Sequence, residues 1–177
     1  MNRKLPAFPV LQPGRRALLA GTGSGLLASV AWPALAGPTR PGSGEPELER
    51  FDEERWPRLL EQLPRPAIVL FSSIHCANCP EAARQAFETR NRLHPRAPLV
   101  VVLTDGEEDP QRARASYRSV ASRLMMFEGV PAVVRRRVSP TWRGETPWFV
   151  LLQRDGGMHM QAGLPQARQW EAWTRTG

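Results

Sequence analysis

The sequence predicts an α/β sandwich with a mixed β-sheet, and three observations support that prediction. Short apolar runs recur at positions typical of buried strands, segments with helical spacing alternate with them, and a glycine-rich turn predicts a hairpin near the end of the chain. The elements follow the order strand, helix, strand, helix, strand, strand, helix, with one further helix in front. A chain of 177 residues with 41% hydrophobic composition suits one compact domain with extra sequence at an end.

The first half of the domain alternates helices with short apolar strands. Apolar residues from Trp56 to Leu63 are spaced as one face of a helix that ends before Pro64. The run from Ala67 to Phe71 predicts a strand buried on both faces. A helix then extends from Cys79 to just before Pro95, and the residues from Leu99 to Leu103 predict a second buried strand.

A long helix is predicted after the second strand. Asp109 and Pro110 are typical of an N-cap and a first helical residue, and Gly129 is typical of a helix end. An apolar stripe runs between them as far as Met125, so one helix is expected over this whole segment. On this interpretation the residues from Met125 to Phe127 are the end of the helix, packed into the core.

A hairpin and a short helix complete the predicted fold. The residues from Trp148 to Leu152 predict a strand, those from Arg154 to Gly157 a tight turn, and those from Met158 to Ala162 the partner strand. The segment from Pro165 to Trp173 predicts the closing helix.

The first 36 residues resemble a twin-arginine export signal. They contain a basic start, the pair Arg15-Arg16, a mildly apolar stretch diluted by glycines, and the small residues Ala34-Leu35-Ala36. The glycines argue against a membrane span. We therefore expect a signal over residues 1–36, a flexible linker over 37–47 and the folded domain over 48–177, with a periplasmic location. Membrane contact is expected only through the signal, if it is not cleaved.

The charge of the chain argues against a nucleic-acid partner. Residues 1–36 contain four basic side chains and no acid, so their removal lowers the formal net charge from +7 to +3. The basic residues that remain are arginines interspersed with acids, whereas a nucleic-acid binder usually presents a clustered basic stripe.

The two cysteines of the chain, Cys76 and Cys79, lie between a predicted buried strand and a helix. A disulfide that closes so short a loop removes little entropy from the unfolded chain, so thiol chemistry explains the pair better than stapling does. Unpaired backbone N–H groups and the helix dipole lower the pKa of a thiol at the start of a helix. This favours Cys76 as the exposed attacking thiol and Cys79 as the resolving thiol, with no cofactor.

The order strand, CxxC, helix, strand, inserted helix and then Thr146-Pro147 at the start of a strand resembles the periplasmic thioredoxin-like proteins of the TlpA type. The resemblance extends from about Leu48 to Trp173. It implies a thioredoxin-like sandwich, with the inserted helix before the strand that Pro147 opens. It also implies that Pro147 is cis and lies against the cysteine pair, and that Thr146 pairs with the backbone of a substrate.

The activity that the resemblance implies is thiol–disulfide exchange between the CxxC pair and disulfide-containing or dithiol protein substrates. Members of the family mostly act as reductants, for example in cytochrome c or metalloprotein maturation, and a membrane redox partner recharges them. His75 is a candidate for contact with substrate or with the Cys76 thiolate. Leu70 stands where many relatives have a buried acid, and Ala77-Asn78 lacks the residues that set the potential in relatives, so the direction of exchange stays open.

A copper(I)-binding metallochaperone that uses the cysteine pair as ligands is the alternative function. His75 and the run from Met158 to Met160 offer further soft ligands. Strand alternation, however, directs His159 to the face opposite the two methionines, so no metal site is assigned. Two other features each allow two interpretations. The run from Arg135 to Arg137 is either a solvated edge or a contact for an acidic partner. Trp142 either packs in the core or lines a substrate groove.

Overall fold

A computed structural model describes residues 47–175, and this part of the chain contains six strands and five helices. In chain order they are β1 (Leu48–Phe51), α1 (Arg55–Gln62), β2 (Ala67–Ser72), α2 (Cys79–Leu93), β3 (Leu99–Leu103), α3 (Pro110–Tyr117), β4 (Arg123–Phe127), α4 (Pro131–Val138), β5 (Trp148–Leu152), β6 (Met158–Ala162) and α5 (Ala167–Thr174).

The strands form one mixed sheet in the order β1-β4-β3-β2-β5-β6. The first four strands in that order are parallel, whereas β5 pairs antiparallel with β2 and β6 antiparallel with β5. Because Phe71 pairs with Trp148, β5 begins beside the end of β2. We call this side of the sheet, where β2, β3 and β4 end and β5 begins, the cysteine end.

Two apolar layers sandwich the sheet. Alternate side chains of β2 and β3 point to opposite faces, so each central strand is buried on both sides. One face packs against α2, α3 and α5, whose contributions include Ala83, Tyr117 and Trp173. The other face packs against α1 and α4 through residues such as Leu59 and Val134. The predicted α/β sandwich with a mixed sheet is therefore confirmed.

The segment between β3 and β5 differs from its prediction. Asp109 caps α3 as expected, since its Oδ1 accepts a hydrogen bond of 2.9 Å from the Arg112 N–H, but the helix ends at Tyr117. The prediction that Met125 to Phe127 ends a helix is wrong, because these residues lie in β4, between β1 and β3. Pairing with two neighbouring strands outweighs the helical spacing of a short apolar run. The inserted segment thus contains two helices and a strand.

Two short elements were not predicted, and several predictions lie outside the described residues. Neither β1 nor α4 has a long apolar run that identifies it in the sequence. The expected signal over 1–36 lies outside the described residues, as does the expected linker apart from Glu47. No helix between residues 47 and 175 has both the length and the apolar character needed to cross a bilayer.

Candidate functional site

The cysteine pair occupies the turn that joins β2 to α2. Cys76 and Cys79 are linked by a disulfide, with their Cα atoms 5.4 Å apart. Cys79 is the first residue of α2 and is 0% exposed, whereas Cys76 is only half-buried. A partner in solution can therefore reach the first sulfur and not the second. In the reduced protein, the N–H groups and dipole of α2 favour a thiolate at this helix start.

Asp105, just beyond β3, holds the segment that precedes the cysteines. Its carboxylate accepts hydrogen bonds from the Ser73 hydroxyl, at 2.5 Å, and from the Ile74 N–H, at 2.9 Å. The Ser73 hydroxyl oxygen in turn accepts a bond of 3.0 Å from the His75 N–H. Since these contacts fix the backbone immediately before Cys76, Asp105 acts as an anchor of the cysteine turn.

The loop before β5 lies against Cys76. The Thr146–Pro147 peptide bond is cis, so the cis bond that the resemblance implies is confirmed. The carbonyl oxygen of Thr146 lies 3.7 Å from the Sγ of Cys76. Pro147 is held by its own carbonyl, which accepts a 2.8 Å hydrogen bond from the Gly163 N–H. The structure thus brings together Cys76, Cys79 and the Thr146-Pro147 dipeptide.

The imidazole of His75 contacts a carboxylate in the loop between β3 and α3. Its Nε2 lies 2.8 Å from Oε2 of Glu108, and its side chain is 64% exposed. His75 therefore lies at the rim of the site, on the side of the loop between β3 and α3.

Trp142 packs against the loop before β5. It is 4% exposed, its ring lies 4.7 Å from that of Phe71, and it stacks on Trp148 at 5.8 Å. Its Nε1 donates a 2.9 Å hydrogen bond to the carbonyl of Glu145, one residue before Thr146. Trp142 therefore packs in the core, and its remaining exposed edge borders a surface cavity.

Leu70 is fully buried among apolar residues, so the site has no acid at that position of β2. The polar groups behind the turn are instead Ser72 and Tyr117, whose hydroxyl oxygens are 2.6 Å apart and buried. Burial raises the pKa of Tyr117, and its hydrogen bond with Ser72 opposes that shift.

Sequence reasoning missed Asp105, Ser73 and Glu108. A signal for the first two was present, because β2 and β3 are adjacent parallel strands and polar residues that follow them meet at the same end of the sheet. Glu108 carried no such signal, since its contact with His75 depends on the path of a loop.

The soft ligands of the copper alternative do not gather at the cysteines. Met158 pairs with Leu152, at the end of the hairpin far from Trp148, and His159 Nε2 lies 2.9 Å from Gln161 Oε1. Between residues 47 and 175 there is no group of three or more His, Cys, Asp or Glu side chains positioned to hold a metal ion.

Comparison with known proteins gives structural neighbours only. No family model matches the chain, and no curated protein matches it. A secreted Mycobacterium tuberculosis disulfide oxidoreductase, described as homologous to E. coli DsbE, is 16% identical over 60% of this chain and 77% of its own, with a TM-score of 0.43. MTB dsbF, in mixed oxidized and reduced forms, is 16% identical over 64% and 84%, with a TM-score of 0.46. A thio-disulfide isomerase from Thermus thermophilus is 16% identical over 63% and 78%, with a TM-score of 0.41.

With TM-scores below 0.5, these neighbours do not by themselves assign an activity to the chain. The fold class rests on the architecture. A buried parallel strand leads into CxxC and a helix, and an antiparallel strand that follows a cis proline returns beside it. That arrangement is the predicted thioredoxin-like sandwich.

Proposed function

We propose that this protein is a periplasmic thiol–disulfide oxidoreductase of the TlpA type, which exchanges the Cys76–Cys79 pair with protein substrates. One observation supports the proposal most strongly. The sulfur of the half-buried Cys76 lies 3.7 Å from the Thr146 carbonyl oxygen, while Cys79 is fully buried one helical turn beyond it. This is the asymmetry that a two-step exchange requires, because the first sulfur meets the client and the second releases it.

In the reducing direction, the Cys76 thiolate attacks one sulfur of a client disulfide and forms a mixed disulfide, and the client's other sulfur leaves as a thiolate. The Cys79 thiolate then attacks the Cys76 sulfur, closes the Cys76–Cys79 disulfide and releases the second client thiolate. Two electrons pass from the pair to the client. A membrane redox partner returns them by the reverse exchange, and no cofactor takes part.

Thr146 and Pro147 hold the client chain in this scheme. The backbone carbonyl of Thr146 lies beside the Cys76 sulfur, so an extended client segment can pair with this backbone while its cysteine meets Cys76. His75, at the rim of the site, contacts the client from the opposite side. The direction of exchange is reductive on the family resemblance, with apocytochrome or metallochaperone clients, and residues 1–36 are the export signal.

Two variants test the exchange scheme. Cys76→Ser removes the attacking sulfur and is expected to abolish reduction of insulin disulfides. Cys79→Ala leaves the attack intact and removes the release step, so mixed disulfides between Cys76 and client should accumulate on non-reducing gels. Turnover at the native rate in both variants would contradict the proposal.

A further inference from the structure

Three arginines line a groove beside the loop that carries Thr146. Arg135, Arg136 and Arg143, together with Trp142, border a cavity of about 270 Å³, which we call the arginine groove. Arg136 and Arg143 are exposed, whereas Arg135 is half-buried. Arg135 and Arg136 belong to the last turn of α4, so part of the arginine run lies on a helix next to the cysteine end of the sheet.

The groove borders the loop that contacts Cys76. Arg143 precedes Thr146 by three residues, so their Cα atoms are at most about 11 Å apart even in extended chain. The Thr146 carbonyl oxygen lies 3.7 Å from the Cys76 Sγ. Trp142, in the wall of the groove, stacks on Trp148, which follows Pro147. A client segment that contacts Cys76 and continues along this loop can therefore meet Arg143, and Arg136 borders the same groove.

The part of the chain between residues 47 and 175 supplies no ion pair to the arginines of the groove. Some arginines elsewhere in the described residues form ion pairs with glutamates, as Arg84 does with Glu81 and Arg123 does with Glu49. The guanidinium groups that line the groove form no ion pair or hydrogen bond with any residue between 47 and 175. The carboxylate of Glu145, in the same loop, accepts a hydrogen bond from the backbone N–H of Arg143.

The opposite flank of the site has the opposite charge. Glu107, Glu108 and Asp109 are exposed in the loop between β3 and α3, and Glu108 contacts His75 beside the cysteines. That loop leads to one layer of the sandwich, and α4 belongs to the other. Cys76 therefore lies between an acidic flank and a basic one, an arrangement that orients a charged client as well as attracting it.

We infer that the arginine groove selects clients with acidic side chains next to the target cysteine, whose carboxylates bind Arg136 and Arg143. The inference rests on the proposed function, because it names the substrate class of the same site. Carboxylates match the fork of an arginine side chain, and paired charges at an exposed site act mainly on the association rate and weaken in salt. The occupant is thus an acidic client segment, while a membrane surface or a nucleic acid is not required.

The test compares disulfide peptides that differ only in the two residues beside the cysteine, as Glu-Glu, Gln-Gln or Lys-Lys. For the native protein, kcat/KM is expected to be about tenfold higher for the Glu peptide than for the Lys peptide at low ionic strength, and this ratio should approach one in 1 M salt. The double variant Arg136→Glu with Arg143→Glu should reduce the ratio to one or reverse it. Because the ratio compares peptides on the same protein, a general loss of activity cancels.

The matched control is the double variant Arg96→Glu with Arg154→Glu, which changes the net charge of the protein by the same amount. Both arginines line a pocket next to Pro66, at the start of β2 and away from the cysteine end. This control should keep the native ratio. The same ratio in all three proteins, or an equal shift in the control, would overturn the inference and leave the exchange activity standing. If no peptide is turned over, the proposed function fails. In that case, fluorescence anisotropy with the same peptides carrying serine in place of cysteine still decides whether the groove binds acidic segments.

Discussion

Removal of the Asp105 carboxylate should weaken the whole cysteine turn. Asp105→Ala deletes two hydrogen bonds, from the Ser73 hydroxyl and from the Ile74 N–H, and leaves both donors without that acceptor. Hydrogen bonds to a charged group contribute about 1.5–3 kcal/mol each, and partial exposure favours the lower end, so a loss of about 3 kcal/mol is expected. For a domain of this size that corresponds to a fall of roughly 10 °C in Tm.

Urea denaturation, followed by tryptophan fluorescence on the oxidised protein, measures this loss. Asp105→Asn keeps an acceptor for the Ile74 N–H and should lose about 1 kcal/mol. The matched control is Glu107→Ala, because the Glu107 carboxylate has no hydrogen-bond partner among residues 47–175, and its effect should stay within about 0.5 kcal/mol. A double-mutant cycle with Ser73→Ala should give a coupling energy of about 1 kcal/mol. If Asp105→Ala is as stable as Glu107→Ala, the anchoring role is refuted.

Three further predictions concern the loop before β5 and the first strand. Trp142 is only 4% exposed, so Trp142→Ala leaves a cavity and should destabilise the domain by about 3–5 kcal/mol. Trp142→Phe loses mainly the Nε1 hydrogen bond and should cost about 1 kcal/mol. Equal urea midpoints for the two variants would contradict this. Gly144 has φ +103°, which disfavours any side chain, so Gly144→Ala should lower stability by about 1–3 kcal/mol and displace the Arg135 side chain. Gly156→Ala is the comparison, because a side chain at that turn meets no neighbouring atom. A hydrogen bond from Arg123, with further help from Arg55, lowers the pKa of Glu49 below its usual 4.5. The stabilisation from Glu49 is therefore present above pH 4.5 and is lost as the pH falls below it. In Glu49→Gln the urea midpoint should accordingly vary less with pH between pH 5 and 3 than in the native protein. The same pH dependence in both proteins would show that the ion pair does not contribute.

The sequence predicted those elements whose signal is local. The strands β2, β3 and β5 are continuous apolar runs because both of their faces are buried, and such runs are visible without knowledge of their partners. By contrast, β1 contains the charged pair Glu49-Arg50 and is a strand because it pairs with β4. The sequence of β4 fits a helix equally well, and only its place between two strands decides the outcome.

The residues of the candidate site likewise fall into those that local sequence predicts and those that only the fold brings together. The CxxC spacing and its position after a buried strand are local, so Cys76 and Cys79 were predictable, and the family resemblance added the cis bond at Pro147. The anchor Asp105 lies 31 residues from Ile74 in the chain, and the register of the sheet brings them together. Likewise, the sequence shows that Arg136 and its neighbours are basic, but only the folded chain shows that Arg136 and Arg143 border one groove and form no ion pair within residues 47–175.

The reduction potential of the Cys76–Cys79 pair tests the central claim most directly. The folded protein is equilibrated in glutathione buffers of graded ratio, quenched with acid, alkylated and analysed by mass spectrometry. A redox-active pair with one accessible sulfur should pass between dithiol and disulfide in a single two-electron transition, with a midpoint between about −300 and −120 mV and no unfolding. A disulfide that persists well below about −300 mV, and yields only when the domain unfolds, would contradict the account and identify the bridge as structural.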